Sequence, residues 1–286
     1  PRAAGADANV SPADVSRHES AELIGDATQP APSAEPNLPD HALTPLSEIE
    51  PDVPRPVNPG ETRPIPKQAR KLVIDGYKRV MRRDYAGAID LLERAKGYDP
   101  NHPRICRALG IAYAGLPDPG RAETNLALAV RQRPDDLEAQ VLLGALAIRD
   151  KRFDDALATL RTALKCSAAE PAQPLAAEAQ LSLGRVLEKL GYYAAALERY
   201  RILEQWIGEH GSASRKRKSL KPLVLRPEQL LTRRGAILLR LGRRDEAIEL
   251  LSDSYRRNRA SVPTAQLLLK ALLDSGRTGQ AERFVL

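Results

Sequence analysis

The sequence predicts an all-α fold, a stack of helix pairs, and three observations predict it. Leu and Ala dominate the apolar residues while aromatics make up only 4% of 286, which favours helix over a sandwich or barrel. Small and apolar residues recur at a fixed interval of 34: Gly76, Gly110 and Gly144; Ala88, Ala122 and Ala156; Leu92, Leu126 and Leu160; Ala95, Ala129 and Ala163. Turn residues punctuate that interval, with Pro100 and Pro134 closing the first two units and Gly191 and Gly242 placed to end the first helix of later ones. The pulse slips by six residues at Gly184 and Ala196 and by a further 17 at Gly235 and Ala247; Ala281 then restores the interval.

The first 65 residues stand apart as an arm. Residues 1–66 hold 13 of the 23 prolines and 11 Asp and Glu against four Arg, a balance of −7, whereas the remainder carries +14. So many prolines forbid a long helix, and so few large apolar side chains cannot offset the ordering entropy. The arm is expected to be mostly extended or disordered. Ser11-Pro12-Ala13-Asp14 and Thr44-Pro45-Leu46-Ser47-Glu48 have the grammar of helix starts. Leu43, Leu46 and Ile49 would share a face of the second, either as transient local order or docked on an apolar surface.

Beyond the arm, units are expected near 69–102, 103–136, 137–174, 177–210 and 228–261, with an incomplete sixth at 262–286. Small residues are needed where two helices approach at backbone distance, as Gly110 and Ala122 would on facing helices. Each pair buries one face only against its neighbour, so the body is an elongated curve with a groove. An insertion at about 205–227 follows the fourth unit. It is expected to prolong that unit's second helix through Trp206 and Ile207 as far as a break at Gly211. A basic loop, Arg215-Lys216-Arg217-Lys218, comes next, a solvated run or a candidate contact for anions. The cut second helix of the last unit leaves an apolar first helix (Leu267, Leu268, Leu269, Leu272, Leu273) for another chain to cover, or marks a fragment boundary.

Signals for chemistry are few. His18, His41, His102 and His210 are dispersed without metal-ligand spacing, and no phosphate-cradling loop or nucleophile elbow occurs. Cys106 is expected as a core thiol and Cys166 at the close of a second helix; two cysteines make no disulfide scaffold. No apolar run of 18 residues spans a membrane. The reading is non-enzymatic, with no cofactor and no metal.

The 34-residue units resemble the tetratricopeptide repeat. The second matches best, with Leu109-Gly110, Tyr113, Ala122, Leu126, Ala129 and Pro134 at signature positions. The first has Asp75 where leucine is usual, and the third lacks the terminal proline. The fourth carries Leu183-Gly184, Gly191, Tyr193, Ala196 and Tyr200; the fifth has Gly235, Gly242, Ala247 and Leu251. The resemblance implies a right-handed superhelical solenoid of about six units, and a scaffold that binds partner polypeptides on its concave face. Register then assigns the groove to Arg70, Val73, Tyr77, Arg104, Arg107, Ile111, Val141, Ala145, Ile148, Arg149, Glu178, Leu181 and Arg185. That mixture suits an acidic, partly apolar segment. The carboxylate clamp of chaperone-tail binders has no counterpart, since Val73, Tyr77, Ala108, Glu138 and Leu142 stand at its positions.

Two other functions compete. The acidic arm, with a span on the order of 45 Å if flexible, would reach the basic groove and inhibit it. Nucleic-acid or anionic-surface binding by the basic body and the Arg215–Lys218 run is disfavoured, because no aromatic residues interleave those cations. The Arg-over-Lys composition looks bacterial, and the compartment expected is cytoplasmic or a soluble body tethered to the envelope.

Overall fold

The computed structural model describes residues 38–45, 48, 64–167, 174–214 and 227–285. Within them lie twelve helices and no strand, arranged as six antiparallel pairs. The pairs are α1 (Lys67–Met81) with α2 (Tyr85–Lys96), α3 (Pro103–Ala114) with α4 (Pro119–Gln132), and α5 (Leu137–Arg149) with α6 (Phe153–Ser167). They continue with α7 (Pro174–Lys189) and α8 (Tyr193–Ser214), α9 (Pro227–Arg240) and α10 (Arg244–Arg257), and α11 (Val262–Asp274) and α12 (Thr278–Val285). Each second helix also packs on the first helix of the next pair, which makes the stack a solenoid.

The periodic residues build the seam inside each pair. A Cβ added to Gly110 would come within 2.5 Å of Leu126 Cγ and 3.3 Å of the Ala122 carbonyl oxygen, so only glycine admits the leucine. Gly76 receives Leu92, Gly144 receives Leu160 and Gly235 receives Leu251 in the same way. In the fourth unit the larger Tyr200 fills the corresponding notch at Gly184. These leucines and Tyr200 are fully buried, and around them lie Ala88, Ala95, Ala122, Ala129, Ala156 and Ala163. Buried small residues of this kind let the helix axes close to contact.

Helix starts are written locally. Asp84, Asp118 and Asp136 precede α2, α4 and α5, and each accepts a hydrogen bond from an amide three residues on. Proline opens α3, α4, α7 and α9, where a missing amide costs nothing. The turns inside the fourth, fifth and sixth pairs use Gly191 (φ +86°), Gly242 (+73°) and Gly276 (+71°). The break expected at Gly211 does not occur, because α8 continues to Ser214. One glycine costs a helix only about 1 kcal/mol, and the preceding turn is anchored: Trp206 is buried in the same core cluster as Leu230, and His210 stacks on it at 5.1 Å.

First helices lie against one another along the stack, α1 on α3, α3 on α5, α5 on α7 and α9 on α11, whereas among the described residues no two successive second helices pack as extensively. The first helices therefore line the inner side of the curve. No helix among the described residues is long and apolar enough to cross a membrane. The expected helix start at residues 11–14, Leu46, Ile49 and the Arg215–Lys218 run lie outside the described residues.

Candidate functional site

Among the described residues the inner side begins at α1, and no described helix pair precedes it. Its residues Ile74 and Met81 remain 54% and 81% exposed. With Ile65, Val73 and Tyr77 they line a cavity of about 530 Å³, bordered by Lys78 of α1, Arg82 just after it and Arg104 of α3. Its floor is apolar and its edge is cationic. Ile74, Lys78 and Met81 follow i, i+4, i+7 spacing, so one face of a single helix supplies most of the site.

Behind this cavity a polar relay ties three units together. The Tyr77 hydroxyl donates to the Arg104 carbonyl at 3.1 Å and accepts from Arg107 Nη2 at 3.4 Å. Arg107 Nη1 reaches both carboxylate oxygens of Asp136 at 3.0 Å, and its Nε lies 3.3 Å from Glu138. Asp136 is buried and also caps α5 through the Ala139 amide. Burial works against the Arg107 charge, but Tyr77, Asp136 and Glu138 more than offset it, so the guanidinium holds its proton more tightly than usual. Arg107 is thus committed inside the protein, with its charge compensated before any partner arrives.

The other expected groove residues fall in varied settings. Tyr77 and Arg104 join the cavity. Arg70 is exposed, with Nε directed to the Ile65 carbonyl at 3.3 Å. Ile111, Ile148 and Arg185 are half-buried, and Val141 is buried in the core. Exposed Arg149 pairs with its neighbour Asp150. Ile65, Ile74, Lys78, Met81 and Arg82 were missed by register mapping, which follows a single row of each helix. The available signal was position: α1 carries the first periodic glycine, Gly76, and among the described residues a second row along it is exposed.

One acid breaks the cationic pattern. Glu178 on α7 is half-buried, and burial followed by the Glu138 charge pushes its carboxyl up to about 7. Elsewhere, Cys106 is buried with its thiol against the Pro100 carbonyl at 3.5 Å, and burial raises its pKa. Cys166 stands half-buried on α6, its thiol also raised by burial. Neither shows the electropositive setting of a reactive thiolate. Among the described residues no group of three or more His, Cys, Asp or Glu stands close enough to hold a metal ion.

Residues 80–146 match the tetratricopeptide repeat family. None of the curated proteins matches the chain. Among solved structures, a fragment of MamA from Desulfovibrio magneticus RS-1, residue 41 to its end, is similar over 70% of this chain and 99% of its own. The identity is 20% and the TM-score 0.54. MamA of strain AMB-1 is similar over 70% of this chain and 97% of its own, at 21% identity and a TM-score of 0.54. These likenesses are of fold. Residues 80–146 therefore carry the tetratricopeptide-repeat pattern, and the other helix pairs share its fold.

Proposed function

We propose that this tetratricopeptide-repeat protein is a non-enzymatic scaffold that holds a partner polypeptide at the first unit of its inner face. The observation that carries the reading is the cavity of Ile65, Val73, Ile74, Tyr77 and Met81 edged by Lys78, Arg82 and Arg104. Large apolar side chains left uncovered on a folded body favour burial against a second chain. The three cations around them favour acidic groups beside the apolar anchors. The ligand class is therefore an amphipathic segment, acidic on its flanks, that presents two or three apolar side chains. Arg107 contributes by fixing Tyr77 rather than by touching the ligand.

Selection of amphipathic peptides on the full chain, followed by affinity measurement against variants, tests this. Tyr77→Ala and Arg104→Glu should each weaken a selected acidic peptide by about tenfold or more, in line with loss of an interface anchor. Affinity should fall as salt rises. Arg149→Glu, away from the cavity, serves as the control and should change little. Equal losses in all three variants, or a selected pool of basic peptides, would refute the reading.

A further inference from the structure

The turn between α7 and α8 differs from the other turns of the stack, and a piece of the arm rests on it. Residues 39–44 form a compact turn closed by two backbone bonds, Ala42 N–H to the Pro39 carbonyl at 2.8 Å and Thr44 N–H to the His41 carbonyl at 3.0 Å. His41 Nε2 donates to the Leu190 carbonyl at 2.7 Å, next to the end of α7. The Ala42 carbonyl accepts from the Ala194 amide at 2.9 Å, in the first turn of α8. The His41 ring lies 4.3 Å from that of Tyr192, and the Ala42 side chain is 1% exposed. Pro39 and His41 sit directly over Gly191, where an added Cβ would come within 2.9 Å of the proline and 3.1 Å of the imidazole.

Equivalent turns lack these features. Gly242 and Gly276 share the positive φ, but no described residue comes within 4 Å of an added Cβ there. Arg83 and Lys151 occupy the corresponding place in the first and third units and carry long side chains. Asp84 and Asp118 cap the helices after their turns, whereas Tyr192 stands at that position in the fourth unit and, like Arg152, Arg243 and Arg277 in the third, fifth and sixth, has no carboxylate to offer. An amide in the first turn of a helix needs an acceptor from outside it, and here the Ala42 carbonyl supplies one.

We propose that the α7–α8 turn is a short-peptide binding site separate from the groove, and that its resident ligand is the chain's own Pro39–Leu43 segment, which latches the arm to the fourth unit. The ligand class is a tight turn bearing an imidazole N–H followed by a small residue. The imidazole serves the carbonyl end of one helix, and the small residue brings its carbonyl to the amide end of the next. The glycine and the tyrosine ring shape the seat. The leucine expected to dock, Leu43, is 67% exposed and takes no part. Twenty residues separate Leu43 from Pro64, a reach of up to about 70 Å. This spans the six helix widths from α1 to α7 at about 10 Å each. That reach is enough for the segment to seat in cis.

The test uses full-length protein and changes only the arm. Ala42→Asp forces a charge into the seat, and Leu43→Asp is the matched control. Hydrogen exchange at the Ala194 amide should quicken by about tenfold or more in Ala42→Asp and stay unchanged in Leu43→Asp. A labelled peptide of residues 36–46 should bind Ala42→Asp protein, whose seat is vacant, and not the wild type. Unchanged exchange in Ala42→Asp, or equal peptide binding to both proteins, would overturn the proposal. So would protection at Ala194 that fades on dilution, because it would place the segment on a second copy.

Discussion

The first three units and the fifth solve one packing problem with different chemistry. Seven residues after the first recurring small position of each second helix stand Ala95, Ala129 and Ala163, all fully buried. At the same register the fifth unit has Ser254, equally buried. Its hydroxyl lies 2.7 Å from Thr232 Oγ1 and 2.8 Å from the Glu228 carbonyl. Thr232 in turn lies 2.8 Å from Thr264, which lies 2.7 Å from Ser261. Four hydroxyls thus join α9, α10 and the start of α11, where Val73 and Val141 hold the register position of Thr232 in the first and third units. The 34-residue pulse specifies side-chain size. Polarity is tolerated wherever each buried group finds a partner.

The strongest way to break this comparison is to violate size. Gly110→Val would press a branched side chain into Leu126 and should lower stability by about 3 kcal/mol, read from chemical unfolding followed by helical circular dichroism. A variant as stable as the wild type would show that the seam does not limit side-chain volume. A change of polarity at constant shape comes next. Thr232→Val gives the fifth unit the residue of the first and third, yet removes a partner from Ser254 and Thr264, and should cost about 2 kcal/mol. A neutral result would make the hydroxyl cluster dispensable and the two regions equivalent.

The smallest effect concerns the inner face between the third and fourth units, where a polar group faces a like charge. Glu178 is raised from 4.5 to about 7 by burial and then by Glu138. Below the unfolded value both states are protonated and folding carries no penalty. As pH rises from there through about 7, the unfolded carboxyl ionises first and stability falls. Glu178→Gln should abolish that slope and gain about 1 kcal/mol at pH 8, after allowance for screening of a half-buried group. Thermal melts at pH 5 and pH 8 check this, and parallel losses in both proteins would acquit Glu178.

Much of the fold was legible because it rests on spacing. Gly76, Gly110, Gly144 and Gly235 meet Leu92, Leu126, Leu160 and Leu251 sixteen positions on, and a fixed offset in sequence becomes a fixed contact across a helical hairpin. Gly191 and Gly242 adopt the left-handed conformation expected of them. The site was less legible. Arg107 reads as one more groove cation until Asp136 and Glu138, 29 and 31 residues away, are seen beside it. The extension of α8 through Gly211 accompanies the burial of Trp206 in a core shared with the next pair, which local propensity does not record.

The sequence by itself determined the period, the helix pairing and the places where only a small side chain fits, since these follow from excluded volume along a regular backbone. Only the tertiary structure decided which charges are compensated, which row of α1 is exposed among the described residues and where Pro39–Thr44 rests. Those outcomes depend on carbonyls, amides and side chains brought together from distant parts of the chain. The contact of Ala42 with Ala194 shows the reason: it is made by backbone groups, which every residue carries and no pattern of side chains announces.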